Sequence, residues 1–261
     1  MSKRKLYVSI ILLAIINDSA LGQIEMGIRG ALNVPCLIAS SSKYPTSKDY
    51  RNIFVPGAAV QAEYDFSKNF SLHIRLEYAI EGGEKNGMQP FAATSRFKEL
   101  VPAGEDVSLL YANYYSRLKI HYIMLPVQAK FTVPLSRHWN VFFAGGLFVS
   151  HSVAARNKTS GYSLIYLDDK QTRILSQSLQ SFEGDENIKS KLRHFNAGLT
   201  ESMGFSYSVK RHKLFFETGG NFGFVNIYNS KSFGSNHTGT LTASIGYSLY
   251  FFLPDRHIIY Q

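Results

Sequence analysis

The stretch 70–81 alternates without a break. Phe70, Leu72, Ile74, Leu76, Tyr78 and Ile80 fall on one face, and Ser71, His73, Arg75, Glu77, Ala79 and Glu81 on the other. A period of two marks a β-strand whose faces meet different surroundings. The pattern recurs. In 55–65, Ala58, Val60, Ala62 and Tyr64 oppose Gln61, Glu63 and Asp65; in 127–133, Val127, Ala129, Phe131 and Val133 oppose Gln128, Lys130 and Thr132. Near the end, Leu241, Ala243, Ile245, Tyr247, Leu249 and Phe251 oppose Thr240, Thr242, Ser244, Gly246 and Ser248. In 193–209, Phe195, Leu199, Met203 and Phe205 share a face with Glu201, which is expected either to lie beyond the apolar band or to mark a bulge. Eight strands are predicted, near 24–34, 55–65, 70–81, 119–132, 139–151, 193–209, 213–227 and 239–252.

The connections alternate too. Segments 35–54, 82–118 and 152–192 are long, 66–69, 133–138 and 210–212 are short, and 228–238 is intermediate. Outer-membrane barrels have short periplasmic turns and longer external loops, whereas a soluble sandwich has no reason to keep that order. The expected fold is therefore all-β: an eight-stranded antiparallel up-and-down transmembrane β-barrel with long extracellular loops. Its apolar face meets lipid and its polar face the lumen, with the N- and C-termini in the periplasm. The wall must close, because each unpaired backbone group in hydrocarbon costs several kcal/mol. Aromatic residues near strand ends, such as Tyr64, Tyr78, Trp139 and Tyr207, suit interfacial girdles.

Composition agrees with an apolar outer surface: 18% of residues are charged and 14% aromatic, against about a quarter charged in soluble domains. The start reads as a cleaved secretory signal over 1–22. Lys3, Arg4 and Lys5 precede an apolar run from Leu6 to Ile16, and Ala20-Leu21-Gly22 precedes Gln23. That run is too short for a helical anchor. Residues 23–261 then form one barrel domain. Removing Lys3, Arg4, Lys5 and Asp18 leaves 25 basic and 18 acidic side chains, net +7. The export signal and the scatter of these charges argue against nucleic acid. The single cysteine, Cys36, has no partner for an internal disulfide.

The polar faces bring in candidate chemistry. Glu63, Asp65, His73, Arg75, Glu77, Lys119, His121, Lys130 and Glu217 are all expected to point inward. Buried charges must be paired, so a lumen salt-bridge network around Arg75 and Lys130 is predicted to plug the barrel. No metal-ligand spacing and no cofactor motif is present. Ser116, His121, His151, Ser152 and His194 are isolated rather than set in a catalytic motif. Loops 82–118 and 152–192 are long enough to be functional. They are the expected contact points for envelope or secretion-system proteins, alongside outer-membrane lipid.

Several wall segments resemble the PorT-like outer-membrane β-barrel family of Bacteroidetes. The residues that carry the resemblance are Ile24 to Asn33, then Leu76-Glu77-Tyr78 with Gly82-Gly83, then Tyr122-Ile123-Met124-Leu125-Pro126 followed by Lys130. Phe143-Ala144-Gly145-Gly146-Leu147 and Ile245-Gly246-Tyr247-Ser248-Leu249 complete it. The resemblance implies an eight-stranded outer-membrane barrel, with founding members tied to the type IX secretion system and no catalytic residues to carry over. The chain departs from many such barrels by running past Phe252 to Gln261 instead of ending on a strand aromatic. The expected function is a non-enzymatic structural or accessory barrel. The alternatives are a small pore or transporter, and a lipid-modifying enzyme.

Overall fold

A strand with two unlike faces satisfies its backbone only by pairing sideways, and every alternating segment does so here. The computed structural model describes residues 23–40, 45–93, 97, 101–102, 107–230 and 234–251. The expected leader at 1–22 and the tail from Phe252 lie outside them. The strands are β1 (Gln23–Ala39), β2 (Val55–Asp65), β3 (Phe70–Ala92), β4 (Leu109–Pro134), β5 (Trp139–Ser160), β6 (Tyr162–Tyr166), β7 (Ile174–Ser181), β8 (Gly184–Asn187), β9 (Phe195–Val209), β10 (His212–Gly223) and β11 (Asn236–Tyr250).

These strands form one eleven-stranded antiparallel sheet, in the order β7-β6-β4-β3-β2-β1-β11-β10-β9-β5-β8, with a further pairing of β4 to β5. The expected eight-stranded barrel with loops at 82–118 and 152–192 is thereby corrected. β3 continues to Ala92 and β4 starts at Leu109, so most of 82–118 is a strand hairpin, while β6, β7 and β8 occupy 152–192. The reason is physical. Residues 84–92 and 174–187 are polar on both faces or mixed, so they lack the apolar stripe by which period two is recognised. Their backbones pair all the same. Among the eight long strands the pairings run in a ring: β1 pairs both β2 and β11, and β4 pairs both β3 and β5.

The outward face is apolar over the middle of these strands. Ile28, Leu147, Leu241 and Ile245 are 60–68% exposed. Glu201 stands in this face, midway along the outward run from Phe195 to Val209. It lies in register with Gly145 and Gly220, and no bulge interrupts either pairing. Neither explanation expected from the sequence applies to it.

Among the described residues Phe142, Phe148 and Phe215 face the lumen, and each sits on a glycine directly across the strand pair: Phe142 on Gly204, Phe148 on Gly198 and Phe215 on Gly246. A Cβ at Gly204 would lie 2.7 Å from Phe142 Cζ, and one at Gly198 2.7 Å from Phe148 Cε1. The small residue gives the ring its seat. Between β4 and β5 the register shifts at His121/Tyr122, which face Ala154 and Ser152 and leave Val153 as an extra residue. On the short-turn side of this bulge, Phe142, Ala144, Phe148, Ser150 and Ser152 are the buried residues of β5; beyond it, Ala155 is.

Candidate functional site

The lumen is filled in layers. Nearest the short turns, Lys130 Nζ donates to Glu63 Oε2 at 2.7 Å, and Lys213 Nζ donates to Glu25 Oε2 at 2.7 Å and contacts Glu63 at 3.4 Å. The Ser71 hydroxyl donates to Glu63 Oε1 at 2.5 Å, and that of Ser248 to Glu25. The Lys130 ammonium also lies 4.2 Å from the centre of the Phe142 ring. Two lysines and two glutamates make this layer neutral.

The next layer repeats the balance with arginine. Arg29 Nη1 reaches Glu217 Oε1 at 2.7 Å and its Nη2 reaches Glu77 Oε2 at 2.8 Å. Arg75 Nη1 donates to Gln128 Oε1 at 2.6 Å and lies 3.4 Å from Glu217; its Nε is 3.6 Å from Glu77. All four charged side chains are at most 6% exposed. Each planar guanidinium touches both carboxylates, the fork geometry in which arginine outperforms lysine. The void beside this layer measures about 20 Å³, space for about one water.

Beyond it the filling changes. Met124, Ala79 and Phe148 pack together, and Glu81, 1% exposed, accepts a hydrogen bond from the Thr240 hydroxyl at 2.5 Å. Toward the long hairpins the interior is hydrocarbon: Leu37, Leu118, Ile120, Tyr122, Ala155, Ile188, Leu192, Ile227 and Tyr228 form one buried cluster, with Tyr50 against it. Beside this cap, the Lys85 ammonium sits 4.3 Å from the Tyr50 ring centre and donates to the Thr46 carbonyl at 2.7 Å. Burial pushes its pKa down to about 8, against the opposing pull of Asp49. On the hairpin's outer side, Glu84 accepts from the Tyr115 hydroxyl at 2.7 Å and from Arg117 Nη2 at 2.7 Å. These bonds, Tyr115's first, hold its carboxyl below the ordinary range.

Five residues of the expected network, Glu63, Arg75, Glu77, Lys130 and Glu217, thus meet in the two charged layers. His73 is buried among them, and neither ring nitrogen makes a hydrogen bond. Asp65 is half-buried at the end of β2. Lys119 and His121 do not join. They share the outward parity of Ile123, Leu125 and Val127, and His121 Nδ1 lies 2.5 Å from the hydroxyl of outward Tyr78. Near a strand's outer end a polar side chain has no need to turn inward. Glu25, Arg29 and Lys213 were missed, although parity marks all three: each alternates with outward Met26, Ile28 and Leu214.

The residues considered for catalysis are not assembled. Ser116 Oγ donates to Asn157 at 2.9 Å, Ser152 Oγ is buried without a hydrogen bond, and exposed His151 contacts the His194 ring edge-on at 5.9 Å. Among the described residues, no group of three or more His, Cys, Asp or Glu is placed to hold a metal ion.

Residues 17–229 match the model of a family described as outer membrane protein beta-barrel domain, a broader group than the PorT-like barrels. No curated protein matches in sequence. Solved structures with a similar fold include the attachment invasion locus protein Ail of Yersinia pestis, solved with the heparin analogue sucrose octasulfate. It is 12% identical, the match covers 87% of this chain and 99% of that one, and the TM-score is 0.37. Neisserial surface protein A is 13% identical over 87% and 97% of the two chains, with a TM-score of 0.41. OprG of Pseudomonas aeruginosa is 9% identical over 89% and 96%, with a TM-score of 0.40. At these scores the likeness says nothing of function.

Proposed function

The chain belongs to the outer membrane protein beta-barrel domain family, and from that premise we propose that it is a non-enzymatic, non-conducting structural or accessory barrel whose long-hairpin end engages envelope or secretion-system proteins. The short turns and both termini of residues 23–261 face the periplasm in this reading, and the leader at 1–22 is removed on export. The wall residues named above support a functional analogy with PorT-like barrels.

One observation carries the proposal: the lumen holds two neutral layers of paired ions beneath an apolar cap, an arrangement that spends its polar side chains on one another. A conducting lumen needs hydrated, unpaired lining groups. The partner reading is supported by β6 and β7, which stand at one end of the sheet order with Tyr162, Ile174 and Leu179 50–67% exposed. An open strand edge bearing apolar side chains is a ready template for an added strand.

The test is recovery of the detergent-extracted protein from its own cells, with and without residues 167–183. Envelope or secretion components are expected with the full chain and not with the shortened one. In planar bilayers the purified protein is expected to give no steady current; a stable ohmic channel overturns the proposal.

A further inference from the structure

The outward wall carries an apolar groove that ends in polar groups. In its upper part, of about 760 Å³, Gly30 and Ala58 form the floor and Ile245 and Tyr78 the sides; a lower part, of about 630 Å³, continues past Met26 and Ala62 to Phe251. The floor is in register across four strands, Ile245–Gly30–Ala58–Tyr78, and a Cβ at Gly30 would meet nothing within 4 Å. Such a trough in a lipid-facing wall has the shape and polarity of an acyl-chain seat.

The polar groups sit beyond its Tyr78–Ile123 side, further along β4 toward the long hairpins. Tyr78 lines the groove and shares its hydroxyl with His121 Nδ1 at 2.5 Å. Lys119 is the next outward residue of β4, roughly 7 Å further along the strand. Its neighbours are committed elsewhere: Arg117 to Glu84 at 2.7 Å, Arg156 and Lys158 to Asp185 at 3.0 and 3.7 Å. Among the described residues no carboxylate lies within ion-pair distance of Lys119, which faces Arg156 and Gly82 across the strands. A cation so placed, past the rim of a hydrocarbon trough and beside a second basic ring, is complementary to an anion attached to a fatty chain.

We propose that the wall holds one lipid with an anionic phosphate monoester head, its acyl chain in the Gly30–Ala58 groove and its phosphate on Lys119 and His121. The leaflet concerned is the one at the long-hairpin end, so assignment to the outer leaflet rests on the orientation proposed above. The site itself does not.

The test measures lipid retention by native mass spectrometry of the whole protein released from mixed micelles, using dioleoyl phosphatidic acid and dioleoyl phosphatidylcholine. Wild type is expected to retain the phosphate monoester about tenfold better. Lys119→Ala with His121→Ala is expected to remove most of that preference. Gly30→Leu, which fills open space, is expected to lower retention of both lipids while leaving their ratio unchanged. Equal retention by wild type, or an unchanged ratio in the double variant, overturns the site. Displacement of the lipid by millimolar inorganic phosphate also overturns it, showing a free-anion site instead. Surface labelling of a cysteine introduced at Lys170 reports orientation separately. Labelling only from the periplasmic side sinks the functional proposal and leaves the lipid result standing.

Discussion

The two halves of the lumen are filled by opposite chemistries. Toward the short turns Glu25, Glu63, Lys130 and Lys213, then Arg29, Arg75, Glu77 and Glu217, pack as ion pairs; toward the long hairpins Leu118, Ile120, Tyr122, Leu192 and Ile227 pack as in a soluble protein. What lies outside the wall explains the difference. Where the outer face meets lipid, the apolar side chains gain nothing by turning inward, and the interior is left for polar groups that satisfy one another. Where the strands rise into water, the hydrophobic effect returns and draws aliphatic residues in. A single strand such as β4 crosses both regimes: its inward residues run from Lys130 and Gln128 to Ile120 and Leu118 without a change of parity.

The most forceful way to break the ionic half is Glu217→Leu. It leaves Arg29 and Arg75 sharing Glu77 alone in a buried site, so a loss of about 3–5 kcal/mol is expected. Denaturant unfolding followed through Trp139, the chain's one tryptophan, measures it; a loss under 1 kcal/mol means that the layer is hydrated rather than paired. Leu118→Ala attacks the hydrocarbon half, where truncation of a leucine costs about 2–4 kcal/mol. The expected signature is faster proteolysis across β6–β8 with little change in unfolding of the Trp139 end. Equal loss at both ends means that the halves are one cooperative unit.

Lys85, at the edge of the cap, sharpens the comparison by pH. Its pKa is lowered from 10.5 to about 8, so the folded state gives up its proton first. Below about 8 both states are protonated and burial of the cation costs stability in full. Between about 8 and 10.5 the unfolded state binds more protons, so stability rises with pH. The difference between wild type and Lys85→Met is expected to move in favour of wild type by on the order of 1–2 kcal/mol across that window, after discounting for water access; a flat difference counts against burial of the ammonium. The smallest effect is expected at the outer surface: Arg117→Ala, which removes the pairing with Glu84, is expected to cost less than about 1 kcal/mol by the same unfolding measurement.

The wall was legible because lipid imposes alternation on it. Strands β2 and β10 lie within a few residues of where the pattern places them, and the parity of Leu76 or Ile245 identifies their faces unaided. The hairpin extensions were not legible, since Lys85, Gln89 and the run Ser176 to Ser181 carry no apolar stripe even though their backbones are paired. In the charged layers the sequence yields facing but not partnership. Arg75 and Glu217 are far apart along the chain, and only ring-like pairing brings them within 3.4 Å. Lys119 and His121 misled because polarity was read as direction, and that inference holds only at the depth of the lipid.

The extra residue in β5 sets the reading frame of the upper strand. Because Val153 has no counterpart on β4, every side chain beyond it is rotated by one step: Ala155 enters the cap while Arg156 stands outside against Asp185. Were Val153 taken into the ladder opposite His121, the same sequence would set Arg156 against Leu118 and aim a guanidinium into the cap; the spare residue keeps charge out of the oil, and excising it would leave Ala155 within and Arg156 outside.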